Sequence, residues 1–146
     1  MARCLRQPSC VKRPGVLLVQ PERDDRDMYA EYLSHVGLTS VCVQEATDAL
    51  RLASRADVVV TGILLPGPLD GYALIAALKG NPATRHIPIV VLTACAWTHE
   101  EARARGAGCD VFLSKPCLPR TLFREIRAAL AARPGLEGRC QKSQLF

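Results

Sequence analysis

Seven cysteines are the first side chains in this chain that could do chemistry. Cys4, Cys10, Cys42, Cys95, Cys109, Cys117 and Cys140 form no C-x-x-C pair, and no histidine cluster stands near them at zinc spacing. Their number is odd and no apolar signal segment precedes them, which points to a reduced, cytoplasmic protein. Cys42 and Cys95 lie in or beside apolar runs and are expected as small core residues. His99-Glu100-Glu101-Ala-Arg103 lacks the spacing of a zinc helix, and its charges are expected to form a solvated helix face. No Ser-His-Asp or Cys-His arrangement stands out. The loop after the first apolar run, Gln20-Pro21-Glu22, has neither the glycines nor the hydroxyls that cradle a phosphate.

Charge narrows the partners. The net +5 of the 146 residues is uneven: Arg3, Arg6, Lys12 and Arg13 put +4 on residues 1–13, and residues 133–146 add +2. Residues 14–132 are left at −1, so the basicity belongs to the ends. Neither end interleaves aromatics with its charge, so both are expected to be solvated, flexible arms, and nucleic acid is not the expected partner. No run of 18 uncharged apolar residues is present to place the chain in a membrane.

The elements that would position these groups follow from periodicity. Val16-Leu-Leu-Val19 after Pro14-Gly15 predicts a buried strand. Met28, Tyr32, Leu33 and Val36 recur at helical spacing over residues 24–36, Asp24 and Asp25 suit the positive end of that helix, and Gly37 ends it. Thr39–Val43 predicts a second strand, residues 46–55 a helix, and residues 57–61 a third strand. A helix carrying Tyr72, Leu74, Ile75 and Leu78 follows, closed by Gly80-Asn81-Pro82. A strand over 87–93, a short polar helix over 99–105 closed by Gly106, a strand over 111–113 and a helix over 119–132 complete the set. In the last helix Leu122, Phe123, Ile126 and Leu130 are expected to face the core. Five apolar strands alternating with helices imply one α/β domain over residues 14–132, a doubly wound parallel sheet covered on both faces.

At this point the chain resembles the receiver domain of two-component response regulators. The resemblance rests on Val16-Leu-Leu-Val19 leading into Met28-Tyr-Ala-Glu-Tyr-Leu33, on Leu65-Pro66-Gly67 with Asp70-Gly71, on Val91-Leu-Thr93-Ala94, and on Ala107-Gly108-Cys-Asp-Val-Phe112-Leu-Ser-Lys115-Pro116. It implies a flavodoxin-like (βα)5 fold, strand order 2-1-3-4-5, with its site at the carboxyl ends of the strands. It also implies an aspartate nucleophile ending the third strand, two acidic residues after the first strand that bind Mg²⁺, a threonine and a lysine that contact the phosphoryl group, and an aromatic residue coupled to them.

Carried onto this sequence, the nucleophile falls on Gly62 and the acidic pair on Gln20 and Pro21, while the retained positions are Thr93, Lys115 and Phe112. Glycine cannot accept a phosphoryl group, proline offers no side-chain ligand, and glutamine offers only a neutral amide. Glu22 is the one acid left at the start of that loop. Asp57 stands at the far end of the same strand, roughly 16 Å away at about 3.3 Å per residue, and Asp70 belongs to a structural Asp-Gly turn. Neither replaces the nucleophile. Lys115, bereft of the family's acids, is expected to pair with Glu22 or to reach solvent, ahead of a cis Pro116 that the resemblance implies.

The expected function is therefore that of a stand-alone, degenerate receiver in a phosphorelay pathway, a non-enzyme without cofactor or metal. Its partner would be a signalling protein such as a histidine kinase or a downstream effector. Helix 4, strand 5 and helix 5 would form the contact face, with Trp97, Phe112, Arg120 and Arg124. Oxidation of Cys117, across the fifth strand from Cys109, is a lesser route to switching. Two alternatives stay open: a small flavodoxin-like ligand or nucleotide binder using the same crevice, and a DNA-associated regulator using the basic ends.

Overall fold

The computed structural model describes residues 14–94 and 98–132. Apolar and amphipathic segments alternate as β1 Gly15–Val19, α1 Arg23–His35, β2 Thr39–Val43, α2 Ala46–Leu52, β3 Val58–Thr61, α3 Gly71–Lys79, β4 Ile89–Thr93, α4 Thr98–Ala107, β5 Val111–Ser114 and α5 Pro119–Ala131. The five strands form one parallel sheet in the order β2-β1-β3-β4-β5. The flavodoxin-like expectation is met, and the carboxyl ends of β1, β3 and β4 converge where the order reverses.

Alternation along each strand divides the core in two. Leu17, Val19, Val59, Ile89 and Val91 pack with Ala46, Ala49, Tyr72, Leu74, Ile75, Leu78 and Ala104 of α2, α3 and α4. Val16, Leu18, Val58, Val60, Val90 and Leu92 pack with Tyr29 and Leu33 of α1 and Leu122, Ile126 and Leu130 of α5. Both faces of β1, β3 and β4 are thus covered, which is why those strands read as continuous apolar runs.

Several expectations need correction. Met28 is 43% exposed and Tyr29 takes the core position on α1. Cys42 is exposed, because β2 is an edge strand that α1 and α2 cover only in part. The second helix ends at Leu52 and tightens into a 3₁₀ turn over Ala53–Arg55. The fourth helix runs through Gly106 and closes at Gly108, whose φ of +121° an L side chain rarely adopts. Phe123 is only half-buried, edge-on to Tyr32 at 6.3 Å between ring centroids. The polar helix is not simply a solvated face either. The Tyr72 hydroxyl donates to the Glu100 carboxylate and the Arg103 guanidinium stacks 4.0 Å from the Tyr72 ring centre, fixing α4 on α3.

Asp70 has the structural role read for it. Its carboxylate accepts from the Ala73 N–H at 2.9 Å and caps α3. Asp70→Ala is expected to cost about 1 kcal/mol in urea unfolding, and Asp70→Asn to retain most of that stability. Asp57 accepts from the Gly15 N–H at 2.8 Å, at the amino-terminal edge of the sheet.

Candidate functional site at the carboxyl ends of the strands

Gln20 organises this end of the sheet. It follows β1 directly, its N–H donates to the Val43 carbonyl at 3.1 Å, and its side chain is fully buried. A buried carboxamide needs partners at both ends. Its Nε2 donates to the Leu92 carbonyl on β4 at 3.2 Å, and its Oε1 accepts from Lys115 Nζ at 2.9 Å. The same ammonium lies 2.5 Å from Asp25 Oδ2. One lysine therefore joins the loop after β5 to β1 and to the first turn of α1.

Asp25, not Glu22, is the partner of Lys115, which corrects the sequence expectation. Glu22 precedes α1 in extended conformation, with an exposed side chain that makes no capping bond. Asp25 lies in the first turn, where helical side chains lean back toward the amino terminus and so over the strand ends. The acid was visible in sequence but read only as favouring the helix dipole. Two further residues were missed. Arg26 Nη1 donates to the carbonyls of Gln20 at 2.8 Å and Pro21 at 3.1 Å, holding the β1–α1 loop. The Tyr29 hydroxyl donates to the Cys117 carbonyl at 2.7 Å, tying α1 to the segment after the cis Lys115–Pro116 bond. Burial, then the nearby Cys117 and Asp25, push the Tyr29 phenol up to about 12, so it stays a donor.

Gly62 follows β3, its N–H donating to the Val19 carbonyl at 2.9 Å. A Cβ placed there would sit 3.6 Å from Gln20 Nε2 and 3.7 Å from both Leu65 Cδ2 and the Leu92 carbonyl oxygen, ordinary contacts all. The carboxamide of Gln20 thus faces the side that a residue at position 62 would occupy. Thr93 ends β4 at 5% exposure, and its carbonyl accepts from the Lys115 N–H at 2.9 Å. Gln20, Gly62, Thr93 and Lys115 come together as the resemblance implied, and Pro21 is half-buried beside them.

Phe112, on the edge strand β5, and the α5 arginines lie on opposite sides of the sheet. Phe112 is half-buried against the α2–α3–α4 cluster, whereas Arg120 and Arg124 stand exposed on α5, which covers the opposite face of the sheet. Trp97 and the two terminal arms lie outside the described residues, as does Cys95. Burial pushes the thiols of Cys109 and Cys117 up, the reverse of an activated cysteine.

A family model for the response regulator receiver domain matches residues 16–127. The chain belongs to that family. It is 34% identical over 103 residues to the probable transcriptional regulator ycf29 of Pyropia yezoensis, covering 69% of this chain and 46% of that one. It is 29% identical over 118 residues to the polar-differentiation response regulator DivK of Brucella anthropi, covering 80% of this chain and 95% of DivK. The signal receiver domain of a histidine kinase from Syntrophus aciditrophicus superposes with a TM-score of 0.76 at 28% identity, over 84% of this chain and 93% of that domain. The chain thus spans about half the length of ycf29 and nearly all of DivK. The match identifies a receiver domain of two-component signalling, and its relatives are regulators. No helix among the described residues is long and apolar enough to cross a membrane.

Proposed function

We propose that this receiver domain signals without phosphorylation, as a pseudo-receiver whose output is protein–protein contact. The observation that carries the reading is the fully buried Gln20 carboxamide beside Gly62, bonded to Lys115 and to the β4 backbone. The side chain that would meet a phosphoryl group is already engaged within the protein. Position 62 supplies no nucleophilic oxygen.

The Mg²⁺ that receivers use does not fit these residues. A hard divalent cation wants several oxygen donors, preferably carboxylates. Position 20 offers one amide oxygen that already accepts from an ammonium, position 21 is proline, and position 62 has no side chain. Asp25, the carboxylate that Lys115 reaches, is held in that ion pair. Among the described residues no three acidic, histidine or cysteine side chains converge.

Lys115, Asp25 and Gln20 together hold one arrangement of the loop after β5, and a partner can shift it only by binding another arrangement more tightly. A histidine kinase or a downstream effector is the class of partner this reading supports. Incubation with acetyl phosphate in magnesium buffer, followed by intact-mass measurement, is expected to leave the protein unmodified. A stable phosphoryl adduct removed by hydroxylamine would overturn the reading.

A further inference from the structure

Helices α1 and α5 lie side by side on one face of the sheet, with Tyr32 and Phe123 edge to face between them. The groove they leave has a volume of about 280 Å³ and is lined by Met28, Glu31, Tyr32, His35 and Pro119. Met28 in its lining and Leu118, next to the lining Pro119, are 43% and 59% exposed, a large apolar content for open surface. The two crests of the groove carry opposite charge. Asp24, Asp27 and Glu31 are exposed on α1 at spacings of three and four, and Arg120, Arg124 and Arg127 are exposed on α5 at spacings of four and three. Each set makes a single stripe at helical period. Asp27 reaches Arg23 across an exposed 3.8 Å pair and Arg127 stacks on Phe123, but among the described residues Asp24, Glu31, Arg120 and Arg124 make no ion pair.

We propose that this face binds a second copy of the same chain, about a two-fold axis running along the groove. The proposal rests on the contact reading above in naming the occupant of the Arg120 and Arg124 face; phosphoryl chemistry plays no part in it. Both helices follow strands of one parallel sheet and run in the same direction. An axis along the groove therefore lays α1 of each copy over α5 of the other at unchanged height, whereas an axis across it would set acid on acid and arginine on arginine. Tyr32 stands level with Phe123, so Glu31 stands level with the turn between Arg120 and Arg124 of the facing copy. Met28 and Tyr32 of each copy then face Leu118 and Phe123 of the other across the groove. Complementary stripes flanking one groove of one chain are what an isologous interface requires.

Size sets the strength. Two helices of 13 residues, each about 20 Å long and about 10 Å wide, bury roughly 400 Å² per copy, below the range of stable complexes. The dimer is therefore weak and concentration-dependent. Sedimentation of the full chain under reducing conditions, from about 5 to 200 µM, is expected to show monomer passing to dimer. Glu31→Arg and Arg124→Glu are each expected to weaken association about tenfold or more through like-charge contact. An equimolar mixture of the two variants is expected to associate nearly as wild type does, because both cross-pairs re-form in the mixed dimer. A wild type that stays monomeric throughout, variants that associate unchanged, or a mixture that remains monomeric would each overturn the proposal. None of these outcomes bears on the adduct experiment, so the two readings fail separately.

Discussion

Gly71→Ala is expected to destabilise the domain by about 3 kcal/mol or more and to lower its melting temperature by roughly 10 °C. The β3–α3 loop doubles back so tightly that the Gly71 N–H donates to the Ile63 carbonyl at 2.8 Å. A Cβ at Gly71 would run into the Gly62 carbonyl oxygen and lie 2.7 Å from the Ile63 Cα. Both obstacles are backbone at the end of a central strand, so no rotamer change relieves them. Gly62→Ala is the matched control. Its Cβ meets nothing closer than 3.6 Å and its φ is not positive, so the methyl is expected to be neutral or to stabilise by up to about 1 kcal/mol. Urea unfolding of the two variants measures the contrast. Equal losses at both positions would show that the close approach of Gly71 to β3 is not what the site depends on.

The second large effect is a gain of chemistry. The variant Gly62→Asp, Gln20→Asp, Pro21→Asp is expected to form a hydroxylamine-labile phosphoryl adduct with acetyl phosphate in magnesium buffer. Gly62→Asp alone is expected to form little. The backbone at Gly62 has room for a side chain, Thr93 stands at the adjacent strand end, and Lys115 already reaches the side chain at position 20. In the single variant the Gln20 carboxamide still holds Lys115, and positions 20 and 21 still offer Mg²⁺ no carboxylate. In the triple variant an oxygen of the carboxylate introduced at position 62 attacks phosphorus, the bond from phosphorus to the acetyl oxygen breaks, and acetate leaves. A melting temperature that rises with Mg²⁺ in the triple variant but not in wild type gives an independent readout of the rebuilt donor set. A folded triple variant that shows neither effect would mean that position 62 is not the acceptor position.

Both predictions turn on how closely residues distant in sequence approach one another, and there sequence and structure divided the work. Val58, Val59 and Val60 announced a buried strand because both of their faces are covered. Met28 misled because helical spacing locates a stripe but not the direction in which the helix is turned, and Tyr29 proved to face the core. Cys42 misled for a related reason: a β-branched run reads alike whether its strand is central or at the edge. Glu100 and Arg103 looked like solvated charge because their partner, Tyr72, lies 28 and 31 residues earlier.

What the residues alone determined is the family, the alternation of elements and the absence of side-chain oxygens at position 62 and of carboxylates at positions 20 and 21. These are properties of residue type and order, and no packing can alter them. Only the tertiary structure decided what stands in their place. Gln20, 72 residues from Leu92 and 95 from Lys115, becomes a buried bridge because three strand ends and the loop after β5 meet there. Asp25 rather than Glu22 receives the lysine, because a helical turn carries it back over the strands and an extended residue does not lean that way.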